Sequence, residues 1–185
     1  DDGPTPEITN FILNELKKYN AKATFFCIGK NVENHLEIFE NIIEAGHVIG
    51  NHTQNHLNGW ENNNTSYIAN VFSCEQTLEN HHSNLKSETQ NLKLFRPPYG
   101  KIKRKQAKIL IEKGYKIIMW SVLSGDFDTK LSKEKCLQNV LKHTSNGSII
   151  VFHDSVKAAK KVKYVLPKVL EHFNKKGFVF KAINI

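Results

Sequence analysis

Apolar runs rich in β-branched and aromatic residues alternate with helix-period segments along this 185-residue chain. The runs predict six strands, at 23–28, 47–51, 92–95, 115–120, 148–153 and 178–183. Apolar residues at helical spacing predict the helices, at 8–19, 32–45, 67–78, 101–113, 132–143 and 162–173, the first of them capped by Thr5. Strands separated by helical crossovers pair in parallel. The alternation therefore predicts an α/β domain in which helices surround a mainly parallel sheet.

The side chains suited to chemistry fall where the predicted strands end. Asn51-His52, Arg96, Trp120-Ser121 and His153-Asp154 each follow a strand. In barrels built from strand–helix units, the carboxyl ends of the strands carry the active site. The topology therefore places these side chains close together although they are far apart in sequence. The polar stretches 58–64 and 83–90 predict loops.

Composition limits the kind of protein that this chain can be. Its length suits one domain, its apolar runs are too short to span a bilayer, and no targeting segment is visible. The net charge of +8 includes the basic stretches 101–105 and 157–161. Because no aromatic residues are interleaved with them for stacking on bases, solvated helix faces are favoured over a nucleic-acid patch, and no nucleic-acid partner is expected. A basic surface also favours anionic polymers such as cell-envelope glycans.

Two histidines four residues apart, His52 and His56, are suited to hold a metal ion. On one helical turn this spacing would aim both imidazoles at the same point. Asp1 and Asp2 supply the missing donor, because two imidazoles and one carboxylate leave coordination positions open for water and substrate. The other carboxylate is then free to act as a base. The alternatives are a polar loop with two surface histidines, and an Asp-Asp-Gly-Pro turn without chemistry.

Two further clusters offer an acid and a cation. His153 ends a predicted strand and offers an imidazole as the acid, although a lone histidine at a strand end is often a packed core residue. Arg96 stands before Pro97-Pro98-Tyr99-Gly100, a rigid loop with backbone N–H donors. We expect this loop to hold a carboxylate through Arg96 and to bind an oxyanion; the alternative is a surface ion pair of little energetic value.

Five short motifs, taken in order, resemble those of the polysaccharide deacetylases, carbohydrate esterase family 4, also called the NodB homology domain. The motifs are Asp1 to Pro4, His52 to His56, Arg96 to Gly100, Asp126-Phe127, and Val151 with His153, and the resemblance covers essentially the whole chain. The fourth departs from the family pattern, which has tryptophan in place of Phe127. The resemblance implies a distorted, TIM-like (β/α)7 barrel whose first strand lies largely before residue 1, and a single catalytic domain over residues 1–185.

The resemblance also implies a role for each motif residue. The implied ligands of one divalent metal ion, zinc first and cobalt or another divalent ion as the alternative, are Asp2, His52 and His56. The implied catalytic residues are Asp1 as the base that activates water at the metal, Arg96 as its partner, Tyr99 through its backbone N–H at the oxyanion, His153 as the acid, and Asp126 as the residue that orients and charges it. The implied substrate-binding residues are Pro98, Tyr99, Phe127 and Val151, the last of them lining the pocket for the acetyl methyl.

These implications describe a metal-dependent hydrolase that removes acetyl groups from an N-acetylated or O-acetylated polysaccharide or oligosaccharide, secreted or at the cell envelope. The alternatives are a non-catalytic glycan-binding member of the same fold, and a metal-dependent amidase acting on C–N bonds of a non-sugar substrate. Substrate choice is expected to lie in loops such as 58–65. The sequence gives neither the oligomeric state nor the identity of the glycan.

A strand is expected ahead of Asp1, because the first motif needs supporting backbone before it. The chain as printed begins inside that motif. We therefore expect this piece to be unstable or inactive by itself. Adding about six upstream residues, the length of an average strand, should restore activity; equal activity with and without them would refute the expectation.

Overall fold

The computed structural model describes residues 1–82 and 93–184 of the chain. Within these ranges, seven α-helices and six short strands follow one another. In chain order they are α1 (Ile8–Lys18), β1 (Thr24–Cys27), α2 (Gly29–Asn34), α3 (Leu36–Glu44), β2 (Val48–Asn51), α4 (Asn64–His82), β3 (Leu94–Phe95), a 3-10 turn (Pro98–Gly100), α5 (Arg104–Glu112), β4 (Lys116–Ile117), β5 (Val122–Leu123), α6 (Lys133–His143), β6 (Ile150–Val151) and α7 (Ala159–Lys175). None of the helices in these ranges combines the length and the apolar character that a bilayer span demands.

All described strand pairs are parallel, as the strand–helix alternation predicts. One sheet has the order β1-β2-β3-β4, and a second contains β5 and β6. Because parallel strands share one direction, the carboxyl ends of the first sheet meet at one edge. Asn51, the last residue of β2, is paired with Phe95, the last residue of β3. The residues that follow them, His52 and Arg96, therefore lie side by side.

Residues 1–3 connect the two sheets at this edge. The Asp154 N–H, beyond the end of β6, donates to the Asp1 carbonyl oxygen at 2.9 Å. On the other side, the Ile28 N–H, which follows β1, donates to the Gly3 carbonyl oxygen at 3.0 Å. The segment thus lies between the chain that leaves β6 and the chain that leaves β1, and it carries both aspartates of the first motif to the carboxyl ends of the strands.

Two apolar clusters fix the helices around the strands. The larger packs β1 against α1, α3 and α7 and includes the fully buried Phe39, Ile42 and Val162. The smaller packs β3 against α4 and α5 through Tyr67 and Leu110. Burying an apolar side chain of this size contributes about 1.5–3 kcal/mol. The positions of the strand ends, and of the residues that follow them, are therefore determined by extensive packing beneath.

A cavity of about 290 Å³ separates β1 from β6. Its walls come from both strands, from α1 and α7, and from residues 178–181. Within the described ranges the two sheets are not hydrogen-bonded into one closed barrel. The described residues do not test the strand expected ahead of Asp1, which stays a prediction.

Most predicted elements begin or end at different residues in the structure. The helix predicted at 32–45 is broken at His35, whose non-helical backbone (φ −141°, ψ 54°) separates α2 from α3. The strand predicted at 115–120 is limited to β4, and the sequence pattern misses β5, which follows it. Thr5 does not cap α1, which begins after Glu7 without a side-chain cap. Apolar periodicity indicates the buried face, and it continues across such breaks because the same face stays buried on both sides.

The strand predicted at 178–183 is wrong. This segment lies beside β1, where the Lys22 N–H donates to the Phe180 carbonyl oxygen at 3.1 Å, but it forms no ladder with the described strands. An apolar run indicates burial of its side chains; it does not specify a backbone partner. The loop predicted at 83–90 lies outside the described residues.

Candidate active site

Asp2, His52 and His56 converge on one point. The Asp2 Oδ1 atom lies 3.2 Å from His56 Nε2 and 3.5 Å from His52 Nε2, and the ligand atoms of the three residues all lie within 4.8 Å of one another. We call this group the Asp2–His52–His56 cluster. The helical turn expected from the histidine spacing is wrong, because residues 52–56 form a loop in which Thr53 and His56 have left-handed backbone.

The tautomer of His52 leaves a lone pair facing this cluster. Its Nδ1 atom lies 2.7 Å from the Arg96 carbonyl oxygen. A carbonyl oxygen only accepts, so Nδ1 carries the proton and Nε2 does not. Burial lowers the pKa of His52 to about 4, so the ring is neutral at neutral pH. A neutral imidazole whose other nitrogen donates to a backbone carbonyl is the usual state of a metal ligand.

Asp2 adds a negative charge beside these imidazoles, and that charge favours a bound cation. Burial by itself would raise the pKa of Asp2, but the imidazoles of His52 and His56 hold that pKa well below its ordinary value. The Asp2 Oδ1 atom is nevertheless buried without a hydrogen-bond donor. Tyr99 orients the His56 imidazole, because the Tyr99 hydroxyl lies 3.1 Å from His56 Nδ1. An ionised oxygen that faces the lone pair of His52 Nε2, with His56 Nε2 at 3.2 Å, fits a divalent metal ion.

Backbone strain is concentrated in the same place. Four residues that are not glycine have left-handed backbone here: Asp2 (φ 81°), Thr53 (φ 65°), His56 (φ 56°) and Tyr99 (φ 60°). Each such conformation costs on the order of 1–3 kcal/mol and persists only where the surroundings enforce it. Asn31 Nδ2 donates to the Asp2 carbonyl oxygen at 2.7 Å, and the Leu57 N–H donates to Thr53 Oγ1 at 3.1 Å. These bonds hold the strained loops in the conformation that directs the ligands inward.

Arg96 and Asp1 form a buried ion pair beside the cluster. Arg96 Nη1 lies 2.8 Å from Asp1 Oδ1, and both side chains are at most 5% exposed. The rest of the guanidinium donates to the carbonyl oxygens of Ile118 and Met119, at 3.1 and 3.2 Å, and packs over the Phe26 ring. Burial lowers the pKa of Arg96 to about 10, so the side chain is still a cation at neutral pH. The pair therefore fixes the carboxylate in one orientation.

His153 is held by Asp126, which follows β5. The His153 Nδ1 atom lies 2.7 Å from Asp126 Oδ1, and the His153 backbone N–H donates to Asp126 Oδ2 at 2.7 Å. Asp126 is fully buried, and its own backbone N–H donates to Ser124 Oγ at 3.3 Å. Because Nδ1 faces the carboxylate, Nε2 is the nitrogen left to exchange a proton with a substrate.

The four residues expected to contact substrate differ in exposure. Tyr99 is 61% exposed and Phe127 is 36% exposed, with the Phe127 ring edge-on to His153 at 5.1 Å between centroids. Pro98 and Val151 are buried. Val151 belongs to β6 and precedes His153 by two residues. The two exposed rings are available to a ligand from the surface, and the two buried residues can act only as walls.

Asp154 is a structural residue that the sequence motifs left without a role. Its Oδ1 accepts from the Gly3 N–H at 2.9 Å, and its Oδ2 accepts from the Thr9 hydroxyl at 2.7 Å. A Cβ atom at Gly3 would lie 1.8 Å from Oδ2, so only glycine fits there. Asp154 thus fixes the segment that carries both aspartates. The only sequence feature that pointed to Asp154 was its position next to His153, because nothing in the sequence connects it with residues 3 and 9.

A sequence profile described as polysaccharide deacetylase matches residues 1–118, more than half of the chain. The chain belongs to the polysaccharide deacetylase family. The predicted resemblance is therefore confirmed, and the five motifs that suggested it lie in one place in the structure, at the carboxyl ends of the strands and on the segment that connects the two sheets.

Relatives in this family include two proteins of Bacillus cereus named peptidoglycan-N-acetylglucosamine deacetylase. One is 37% identical over 155 residues, which are 84% of this chain and 54% of that protein; the other is 32% identical over 189 residues, covering 100% of this chain and 84% of that protein. This polysaccharide deacetylase chain thus spans about half the length of the first and most of the second.

A solved structure supports the fold class. The Bc1960 peptidoglycan N-acetylglucosamine deacetylase, in complex with 4-naphthalen-1-yl-N-oxidanyl-benzamide, superposes with a TM-score of 0.89 at 34% identity, over 99% of this chain and 83% of that chain. The predicted fold class, a distorted (β/α)7 barrel, is confirmed by this likeness. The described residues contribute two parallel sheets to it.

Proposed function

We propose that this chain is a metal-dependent deacetylase that hydrolyses N-acetyl groups, or O-acetyl groups, of a polysaccharide or oligosaccharide. The observation that carries the proposal is the convergence of the Asp2–His52–His56 cluster with a separately held carboxylate, Asp1, at the same strand ends. Two relatives named peptidoglycan-N-acetylglucosamine deacetylase support an N-acetylated glycan as the substrate class. We further propose that residues 1–185 belong to a single catalytic domain.

The Asp2–His52–His56 cluster would hold the metal ion. Two imidazole nitrogens and one carboxylate oxygen are a donor set that zinc accepts readily, with cobalt or another divalent ion as the alternative. When bound, such an ion polarises a carbonyl group and makes water a better nucleophile at neutral pH. The remaining steps depend on side chains and backbone groups of the chain itself.

Asp1 is the base in this proposal. Arg96 Nη1 holds its carboxylate at 2.8 Å, and Asp1 directly precedes Asp2 in the chain. It takes a proton from the water that attacks the acetyl carbonyl carbon. Negative charge then develops on the carbonyl oxygen, and the backbone N–H of Tyr99, on its strained turn, is the group we assign to it.

His153 completes the reaction as the acid. With Nδ1 bound to Asp126, its Nε2–H donates a proton to the sugar nitrogen as the C–N bond to the acetyl group breaks, leaving acetate and a free amine. An O-acetyl group would leave in the same way, with the proton going to oxygen. Phe127 and the buried Val151 form apolar walls for the sugar and for the acetyl methyl.

The test is deacetylation of defined oligosaccharides. Purified protein is incubated with N-acetylglucosamine oligomers and with an O-acetylated xylan oligomer, and products are identified by mass spectrometry. We expect loss of acetyl groups that stops on treatment with a chelator and returns on addition of Zn²⁺ or Co²⁺. Glycan binding without product would favour the non-catalytic alternative, and hydrolysis of simple acetamides without hydrolysis of glycans would favour the amidase. Either result would overturn the proposal.

A further inference from the structure

We propose that Trp60 and Lys101 form a second glycan subsite, which stacks a sugar ring on the indole and pairs the lysine with a carboxylate on that sugar. The inference rests on the proposed function, since it names the part of an acetylated glycan that this protein recognises away from the reacting acetyl group. The ligand class is a polymer of N-acetylated sugars in which some units bear a carboxylate. The four observations that support it concern the exposure, anchoring, charge and position of this pair.

Trp60 is a large apolar side chain left open to water. It is 60% exposed, on the loop of residues 58–63 between β2 and α4. Single exposed apolar residues are common on protein surfaces and need no special account. An indole, however, offers a broad apolar face with few rotatable bonds, and it loses little entropy when a ligand covers it. The apolar C–H face of a pyranose ring is complementary to such a surface.

The loop that carries Trp60 is anchored at its base. The fully buried Gln106 side chain donates to the Gly59 carbonyl oxygen at 2.9 Å, and the Gly59 N–H donates to the Lys101 carbonyl oxygen at 3.2 Å. The indole Nε1–H itself donates to the Ile102 carbonyl oxygen at 3.3 Å. An exposed ring on a loop held this firmly is preorganised, which lowers the entropic cost of binding.

Lys101 places a positive charge next to the ring. Its ammonium lies 5.3 Å from the centroid of the Trp60 ring, near the outer limit of a cation–π contact. Within residues 1–82 and 93–184, no carboxylate lies within ion-pair distance of it, although other lysines, such as Lys93 and Lys175, have such partners. The ammonium is therefore available to an anionic group of a ligand stacked on the indole.

Chain connectivity places the pair beside the active site. Trp60 lies four residues after His56 of the Asp2–His52–His56 cluster. Lys101 lies two residues after Tyr99, and the Tyr99 hydroxyl contacts His56. Two residues of extended chain reach at most roughly 7 Å. A glycan chain whose acetyl group lies at the cluster would therefore have neighbouring sugar units close to Trp60. The net charge of +8 favours a polymer that carries negative charge.

The experiment compares two probes of equal length on chelator-treated protein. One is a peptide-free glycan oligomer of peptidoglycan, which carries a carboxylate on every second sugar; the other is a chitin oligomer, which carries none. Affinities are measured by isothermal titration calorimetry. We expect Trp60→Ala to weaken binding of both probes by roughly tenfold, the usual loss for an aromatic anchor. We expect Lys101→Met to weaken binding of the carboxylate-bearing probe alone, by about two- to fivefold at low salt.

Matched variants separate stacking from loop folding. Trp60→Phe keeps a ring but loses the N–H bond to Ile102, so most of the affinity should remain. Lys105→Met removes an exposed lysine of α5 and should change neither affinity. Wild-type affinity in Trp60→Ala, or an equal loss for both probes in Lys101→Met, would overturn the subsite. Because binding is measured without turnover, Trp60-dependent binding in a protein that deacetylates nothing would refute the proposed function and leave this inference standing.

Discussion

Replacing His153 with alanine should lower kcat for deacetylation by roughly 10²–10⁴-fold, the usual contribution of a positioned acid or base. The structure gives the physical reason. His153 Nδ1 is held 2.7 Å from Asp126, so Nε2 is fixed as the proton donor, and without it the leaving nitrogen must depart unprotonated. KM should change little, because the histidine acts on the leaving group. Initial rates on an N-acetylglucosamine oligomer, with product quantified by mass spectrometry, provide the measurement.

A second histidine serves as the control. His143 ends α6 and is exposed, with its Nδ1 bonded to the Asn139 carbonyl oxygen. His143→Ala should keep wild-type kcat. If His153→Ala retained kcat within a factor of three while His143→Ala behaved as expected, the acid would have to be another group, and the assignment of His153 would be withdrawn.

Asp126 and His153 should behave as one unit. Asp126→Asn is expected to reduce kcat, because an amide can hold Nδ1 in the wrong tautomer. Combining Asp126→Asn with His153→Ala should cost little more than His153→Ala alone, since residues that act together are not additive. Fully multiplicative losses would show that the buried carboxylate has a separate role.

Most of the fold was predictable because the alternation of apolar runs and helical periods reports directly on burial. That signal gave the parallel pairing and placed His52, Arg96 and His153 at strand ends. It failed where burial alone does not decide the structure. Residues 178–183 are mostly apolar, but they lack a ladder partner among the described strands, and the break at His35 leaves the apolar face continuous on both sides.

The candidate site was predictable in its residues and less so in its backbone. Side-chain types and their order suggested Asp2, His52 and His56, but the spacing of the histidines suggested a helical turn that is absent. The actual loop depends on left-handed backbone held by distant groups such as Asn31. The contact of Asp154 with Gly3 spans 151 residues. Such contacts arise from the tertiary packing, so no local pattern records them.

Replacing Asp2 with asparagine should lower the affinity for Zn²⁺ by more than roughly 100-fold, beyond the 10–100-fold loss typical when only an outer partner of a ligand is changed. The carboxylate supplies the one negative charge in the Asp2–His52–His56 cluster, and its Oδ1 is buried without a hydrogen-bond donor. An amide oxygen of the same size carries no such charge. Calorimetric titration of the chelator-treated protein measures the affinity, and activity should be lost in parallel.

Thermal stability gives a second readout that does not depend on turnover. An ion that binds only the folded state, present at 100 times its Kd, stabilises that state by about 2.7 kcal/mol. Zn²⁺ should therefore raise the Tm of the wild type and of Asp128→Asn, in which an exposed carboxylate is removed, but not that of Asp2→Asn. If Zn²⁺ left the wild-type Tm unchanged, the Asp2–His52–His56 cluster would not be a zinc site, and the buried Asp2 Oδ1 would need another cation or donor as its partner.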